Sequence, residues 1–194
     1  MLSLHSTHLI SRGVRNGRHG GTASCQTGIR PCYWGGISVG GFAEILFHKT
    51  KKVNTTEWVS ALKTGALTTA IKSLAPVSPD GPWHVLCDNE SFLSANDALR
   101  EYRRSKITLW HIPPRSPDLN PIEKFWAWLR KELQRRDLAD MIGRRPTLGK
   151  TAYRTRVRAV CRSAKAQRVA MNLARGLKKV CKEVIDKKGA ATRG

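Results

Sequence analysis

Four of the nine prolines fall within nine residues, at Pro113, Pro114, Pro117 and Pro121. Proline lacks an amide hydrogen and restrains the residue before it, so 113–118 can be neither helix nor central strand. The stretch must be a loop with well-defined ends. Before it, 106–111 (Lys-Ile-Thr-Leu-Trp-His) reads as a strand. After it, Asn120 is placed to cap a helix, with Pro121 at the first position and Glu123 at the third. In that helix Ile122, Phe125, Trp126, Leu129 and Leu133 recur at spacings of three and four, so this face is core.

The same logic runs upstream. Residues 83–87 read as a short buried strand ending at Asp88, and 91–104 as a helix. Strand, helix, strand in that order favours a parallel unit inside an α/β fold. Residues 32–38 and 42–47 are strand-like and joined through Val39-Gly40-Gly41, a tight hairpin. Asn54 with Glu57 three residues on gives a capping box for a helix through about Ser73, ahead of a turn-rich break at 76–82. Past a Gly/Pro break at 143–149, two basic helices are expected, at 150–162 and 165–187. The second has a narrow apolar stripe of Val169, Leu173, Leu177, Val180 and Val184. Residues 1–30 contain no acid and no clear period and are read as poorly ordered. An Arg-containing, acid-free start is also a transit-peptide pattern, although the Gly20-Gly21 region makes a poor amphipathic helix. The chain thus divides into 1–30, 31–142 and a basic helical extension, 143–194.

Several classes are excluded. No run approaches the 18 apolar residues of a spanning helix, and the start has no apolar segment of a secretory signal. The five Cys show no metal-ligand spacing and no disulfide pattern, which leaves buried free thiols in a reducing compartment. The formal net charge of +21 points to polyanionic partners. Its distribution says more. Residues 1–79 carry net +7, 80–123 net −2 and 124–194 net +16, so seven of the fourteen acids sit in the centre. Carboxylates between basic flanks suit a metal-dependent nucleic-acid enzyme, although solvated loops that happen to carry acids would give the same count.

Asp88 and Glu123 are the candidate catalytic and metal-binding residues. Asp88 ends a parallel strand, the edge at which open α/β sheets place their sites. Glu123 opens the helix that follows the next strand. If that helix packs on the sheet, the two carboxylates converge, and hard oxygen ligands of this kind hold Mg²⁺ or Mn²⁺. Each residue also has a plainer reading: Asp88 as an Asx turn closing its strand, Glu123 as the acid of a helix cap.

The surrounding sequence resembles a known family. Ile112-Pro113-Pro114-Arg115-Ser116-Pro117-Asp118-Leu119-Asn120-Pro121-Ile122-Glu123-Lys124-Phe125-Trp126 is similar to the PPxSPDLNPIExxW signature of mariner-superfamily DDE transposases. Cys87-Asp88-Asn89 resembles the family's second catalytic strand, and the 34 residues between Asp88 and Glu123 match the spacing of one large branch. Tyr33-Trp34-Gly35-Gly36-Ile37-Ser38 resembles its Trp-Gly strand, and 180–189 more weakly its C-terminal helix. The resemblance implies an RNase H-like mixed sheet with flanking helices, followed by basic C-terminal helices. It also implies DNA cut-and-join chemistry with two divalent cations held by an Asp-Asp-Glu triad. Asp88 matches the second carboxylate and Glu123 the third. The first, which the resemblance implies bridges both ions, has no match: residues 1–79 contain no Asp, and their only acids are Glu44 and Glu57. The family's N-terminal helix-turn-helix region is absent too. The chain is therefore expected to be the C-terminal part of a transposase, a clipped gene model or a decayed copy, inactive in strand cleavage. A noncatalytic nucleic-acid-binding protein made from the same fold is the alternative.

Arg115, Lys124, Lys131 and Arg135 are expected to contact phosphates around the site, with Trp128 beside them either stacking on a base or covered by the C-terminal helices. Arg144, Arg145, Arg154 and Arg158 extend that expectation into the basic flank. The partner is DNA or RNA; an anionic membrane is the competing partner for a basic amphipathic helix. A homo-oligomer is compatible with the pattern. A nuclear-import address within 144–168 places the chain in the nucleus.

Overall fold

The computed structural model describes residues 3–9, 32–48, 53–74, 80–114 and 116–189. A five-stranded mixed sheet organises them. Its strands are β1 (Ser3–Leu9), β2 (Cys32–Ser38), β3 (Gly41–His48), β4 (Trp83–Cys87) and β5 (Ile107–His111), in the spatial order β3-β2-β1-β4-β5. Strands β1, β2 and β3 pair antiparallel, whereas β1–β4 and β4–β5 are parallel. The helices are α1 (Thr55–Lys63), α2 (Ala66–Leu74), α3 (Asn96–Arg104), α4 (Pro121–Ile142), α5 (Lys150–Cys161) and α6 (Ala164–Asp186). This is the mixed sheet with flanking helices that the resemblance implied.

The sheet separates two cores. One is built by α1, α2 and α3 around Trp58, Leu67, Ile71, Tyr102 and the inward face of β4, Trp83, Val85 and Cys87. There Trp58 Nε1 donates to the Tyr102 hydroxyl at 2.6 Å and its ring lies 4.3 Å from that of Trp34. The other core packs Ile37 and Phe42 against the apolar stripe of α4, with Val157, Val160, Ala166 and Ala170 from α5 and α6. Ile122, Phe125, Trp126 and Leu129 are all fully buried, as their spacing required. Because both faces are covered here, β2 is buried continuously from Trp34 to Ser38 instead of alternating.

Four expectations change. The helix expected over 91–104 is a 3-10 segment, Ser91–Ser94, then extended Ala95 and α3 from Asn96. The helix expected from Asn54 to about Ser73 is two helices, broken at Gly65, whose φ of +73 is open to glycine and strained for other residues. Its capping box is present, with Asn54 accepting from the Glu57 amide at 2.8 Å. Asn120 is buried but makes no side-chain cap; the Glu123 amide donates instead to the Asn120 backbone carbonyl at 3.1 Å. Within the first thirty residues, read as poorly ordered, Ser3–Leu9 is the central strand. Its order comes from pairing on both sides, to β2 and to β4, which a local pattern cannot reveal. The rest of 1–30 lies outside the described residues.

The Trp-Gly run of β2 has a steric reason. A Cβ on Gly35 would stand 2.7 Å from the Phe42 ring and 3.0 Å from that of Trp126. Phe42 cannot retreat, because it is stacked on Phe125 with ring centroids 4.6 Å apart. Gly35→Ala is expected to lower stability by about 1–3 kcal/mol through overpacking, read as a lower urea midpoint. An unchanged midpoint would mean this aromatic layer is soft.

Candidate active site

Parallel pairing of β4 and β5, with Cys87 level with His111, makes both strands finish at one edge. Asp88 leaves the first strand there, and the proline loop leaves the second. Asn89 joins them: its Nδ2 donates to the Ile112 carbonyl at 2.7 Å, while the Ile112 amide donates to the Cys87 carbonyl at 2.8 Å. Nδ1 of His111 lies 3.1 Å from the Asp88 carbonyl oxygen. The loop then turns through a short 3-10 segment, Pro117–Leu119, into α4, where Glu123 is exposed in the first turn. Asn89 and His111 were not singled out from sequence; the Asp-Asn pair was the only hint.

Electrostatics tie Asp88 to Glu123. Burial, with the charges of Glu90 and Glu123 adding to it, pushes the Asp88 carboxyl up to about 6. Asp88 Oδ1 is buried without a hydrogen-bond partner. Among the described residues no cation pairs with this desolvated carboxylate, the condition a metal ion would relieve. The donor set nevertheless falls short of a two-ion centre. Among the described residues no three His, Cys, Asp or Glu side chains are grouped to hold a metal. Strand β1 pairs with β4 through Ser3–His84, Leu4–Val85 and His5–Leu86. The same offset brings Thr7 level with Asp88, and β1 (Ser-Leu-His-Ser-Thr-His-Leu) has no acid. Glu44 offers no substitute: it is paired with Arg158 at 3.2 Å and Arg162 at 3.0 Å.

The expected phosphate-contacting residues divide. Lys124 and Lys131 are exposed on α4, and Arg144 is exposed beyond its end. Arg135 is occupied: it donates to Glu132, which Arg136 and Lys165 also face, and hydrogen bonding from Arg135 holds the Glu132 carboxyl down at about 2. Arg145 pairs with Asp140 at 3.1 Å, and Arg158 with Glu44. Arg154 is half-buried, and Arg115 lies outside the described residues. Much of the α5 charge is thus internal bracing, with Arg156 spanning Asp137 and Asp140. Trp128 is half-buried, packed against the second core with its ring 5.6 Å from that of Phe125 on the same helix. Burial pushes the Cys87 and Cys161 thiols up to about 12, leaving them inert, whereas Cys181 on α6 is exposed, contrary to a uniformly buried set.

Asp88 gives a pH-dependent signature. Its folded-state pKa, about 6, lies above the ordinary 3.8, so the folded chain binds the extra proton between these values and loses stability as pH rises through them. Asp88→Asn removes the buried charge. It is expected to stabilise the chain at pH 7.5 by about 1–2 kcal/mol, allowing for solvent screening, and to make no difference near pH 3.5. Urea melts at the two pH values check this; equal effects at both would refute a desolvated carboxylate.

The comparisons agree with this geometry. Residues 17–143 match the family described as DDE superfamily endonuclease. Among solved structures, the catalytic domain of Mos1 mariner transposase is similar with a TM-score of 0.64 and 11% identity, covering 98% of this chain and 84% of that one. The same catalytic domain with raltegravir and Mn gives 0.61 at 10% identity, with 98% and 84% covered. A pre-cleavage Mos1 transpososome gives 0.59 at 12% identity; this chain spans 57% of that transposase. Among curated proteins, none is similar enough in sequence to count as a relative. No helix among the described residues is long and apolar enough to cross a membrane. The chain belongs to the DDE superfamily endonucleases, and its sheet and helices have the RNase H-like fold of a mariner transposase catalytic domain.

Proposed function

We propose that this chain is a DNA-binding member of the family in which strand cleavage is lost. The observation that carries this is the incomplete acidic edge: Asp88 and Glu123 act on one another, while the neighbouring strand Ser3–Leu9 has no acid, and its register carried two residues past His5–Leu86 sets Thr7 beside Asp88. Two-ion phosphoryl transfer needs ligands that hold both ions about 4 Å apart. Two carboxylates are too few for that, so at most one Mg²⁺ or Mn²⁺ would bind here, weakly. Solved relatives in fold include Mos1 paired-end complexes with Mg and with Mn, and one with a left transposon end. They support DNA as partner and a divalent cation as the ancestral cofactor.

What remains to this chain is binding. Asn89 holds the proline loop against the strand tip, so the exposed Lys124 in the first turn of α4 is presented at the same edge as Asp88. Phosphates drawn there would meet carboxylates that can orient water and cannot complete an in-line displacement. We further place the chain in the nucleus, with the basic stretch 144–168 as its import address. Imaging a tagged chain against one carrying Arg144→Ala and Arg145→Ala tests this, and unchanged localisation would remove the address.

A plasmid-nicking assay with Mg²⁺ or Mn²⁺ is expected to give no cleavage. Nicking that disappears in Asp88→Asn would restore the catalytic reading. Thr7→Asp is expected to raise Mn²⁺ affinity by about tenfold, the effect of roughly 1.4 kcal/mol from one added ligand, measured by electron paramagnetic resonance titration. No change would mean that Thr7 does not stand at the vacant ligand position.

A further inference from the structure

Helix α6 is longer than its packing needs. Its start is anchored: the Ser163 hydroxyl accepts from the Ala166 amide, Lys165 lies 3.8 Å from Glu132, and Gln167 pairs with both backbone groups of Phe42. From there it packs along α4, β2 and β3 and also touches the Pro117–Leu119 turn that leads into α4. It therefore runs back from the middle of α4 toward the end that carries Glu123. Glu132 lies about 16 Å along α4 from Pro121, and the same advance from Lys165 reaches roughly residue 176. The helix continues to Asp186, so on this advance its last turns run past the Pro117–Leu119 turn that leads into the Glu123 helix.

Those turns are basic on one side. Arg168, Arg175, Lys179 and Lys182 recur at spacings of seven, four and three, which aligns them on one face. All four are exposed, and among the described residues no carboxylate pairs with them. The opposite face carries Val169, Leu173, Leu177 and Val180, all half-buried. The α5 arginines discharge onto Glu44, Asp137 and Asp140. The α6 stripe keeps its charge for a polyanion.

We propose that this stripe binds the phosphate backbone of duplex DNA as it enters the acidic edge. The proposal rests on the DNA-binding reading above and adds which surface does the binding. Four cations over about 20 Å of helix match a polyanion of regular charge spacing and need no base contact.

The test uses the full chain and a fluorescent 30-base-pair duplex, titrated from 0.05 to 0.3 M salt. Arg175→Gln, Lys179→Gln and Lys182→Gln together keep strong helix formers in place. This variant is expected to bind about tenfold or more weakly at 0.15 M salt, with the slope of log K on log salt shallower by about 2 to 3. The control removes the same charge from α3, on the far side of the sheet, by Arg100→Gln, Arg103→Gln and Arg104→Gln. It is expected to move the slope by less than one. Circular dichroism checks that both variants keep their helices; a misfolded triple is replaced by the three single substitutions, each expected to shift the slope by about 0.9. Equal effects from α3 and α6 would overturn the stripe in favour of net charge. If wild type binds DNA and the α6 changes do nothing, the stripe fails and the DNA reading survives. If wild type does not bind the duplex, the DNA reading itself fails. Loss of binding to phosphatidylserine vesicles with DNA binding intact would assign the stripe to membranes and overturn the proposal.

Discussion

Everything at the candidate site depends on two parallel strands ending at one edge. Parallel neighbours must be joined by a crossover, here α3, and that crossover is held by Tyr102 and Ala98 in the first core. Once β4 and β5 are level, Asp88 and the proline loop leave the sheet side by side. The Asn89 amide then replaces water at the Ile112 carbonyl and fixes where the loop departs. Glu123 is carried to the same edge by a helix whose apolar stripe leaves little choice of orientation.

The same edge illustrates how an incomplete site is electrostatically uneasy. A buried carboxylate near two others has its proton affinity raised, because solvation is lost and no described cation replaces it. In a complete centre the metal would supply that charge. Here the strand next to β4, Ser3–Leu9, carries no acid. Elsewhere the acids are well compensated: Glu132 faces three cations, and Glu44 two. The contrast singles out Asp88 as an acid placed for something other than bracing the fold.

Charge on the helical extension separates into two kinds. On α5 the arginines are spent internally, tying that helix to β3 and to the end of α4. On α6 the stripe points away from the core, and no described carboxylate pairs with it. The local sequences are equally basic, so composition could not distinguish them. The difference arises because α5 lies against Glu44, Asp137 and Asp140, while among the described residues no carboxylate of another element pairs with the α6 stripe.

Much was legible in the order of residues alone. Pro113 to Pro121 demanded a loop between a strand and a helix, and the spacing of Ile122, Phe125, Trp126, Leu129 and Leu133 assigned that helix its buried face. Asp88 was marked by its place at a strand end. These are local matters, decided by missing amide hydrogens and by periodicity. Tertiary structure decided the rest: that Ser3–Leu9 is the central strand, that Gly35 must lack a side chain beside Phe42, that Asn120 yields its cap to the backbone, and that α6 keeps its charge while α5 does not. Each depends on which distant segment lies alongside, and pairing partners are chosen by the whole fold, whereas helices and turns are chosen by their own residues.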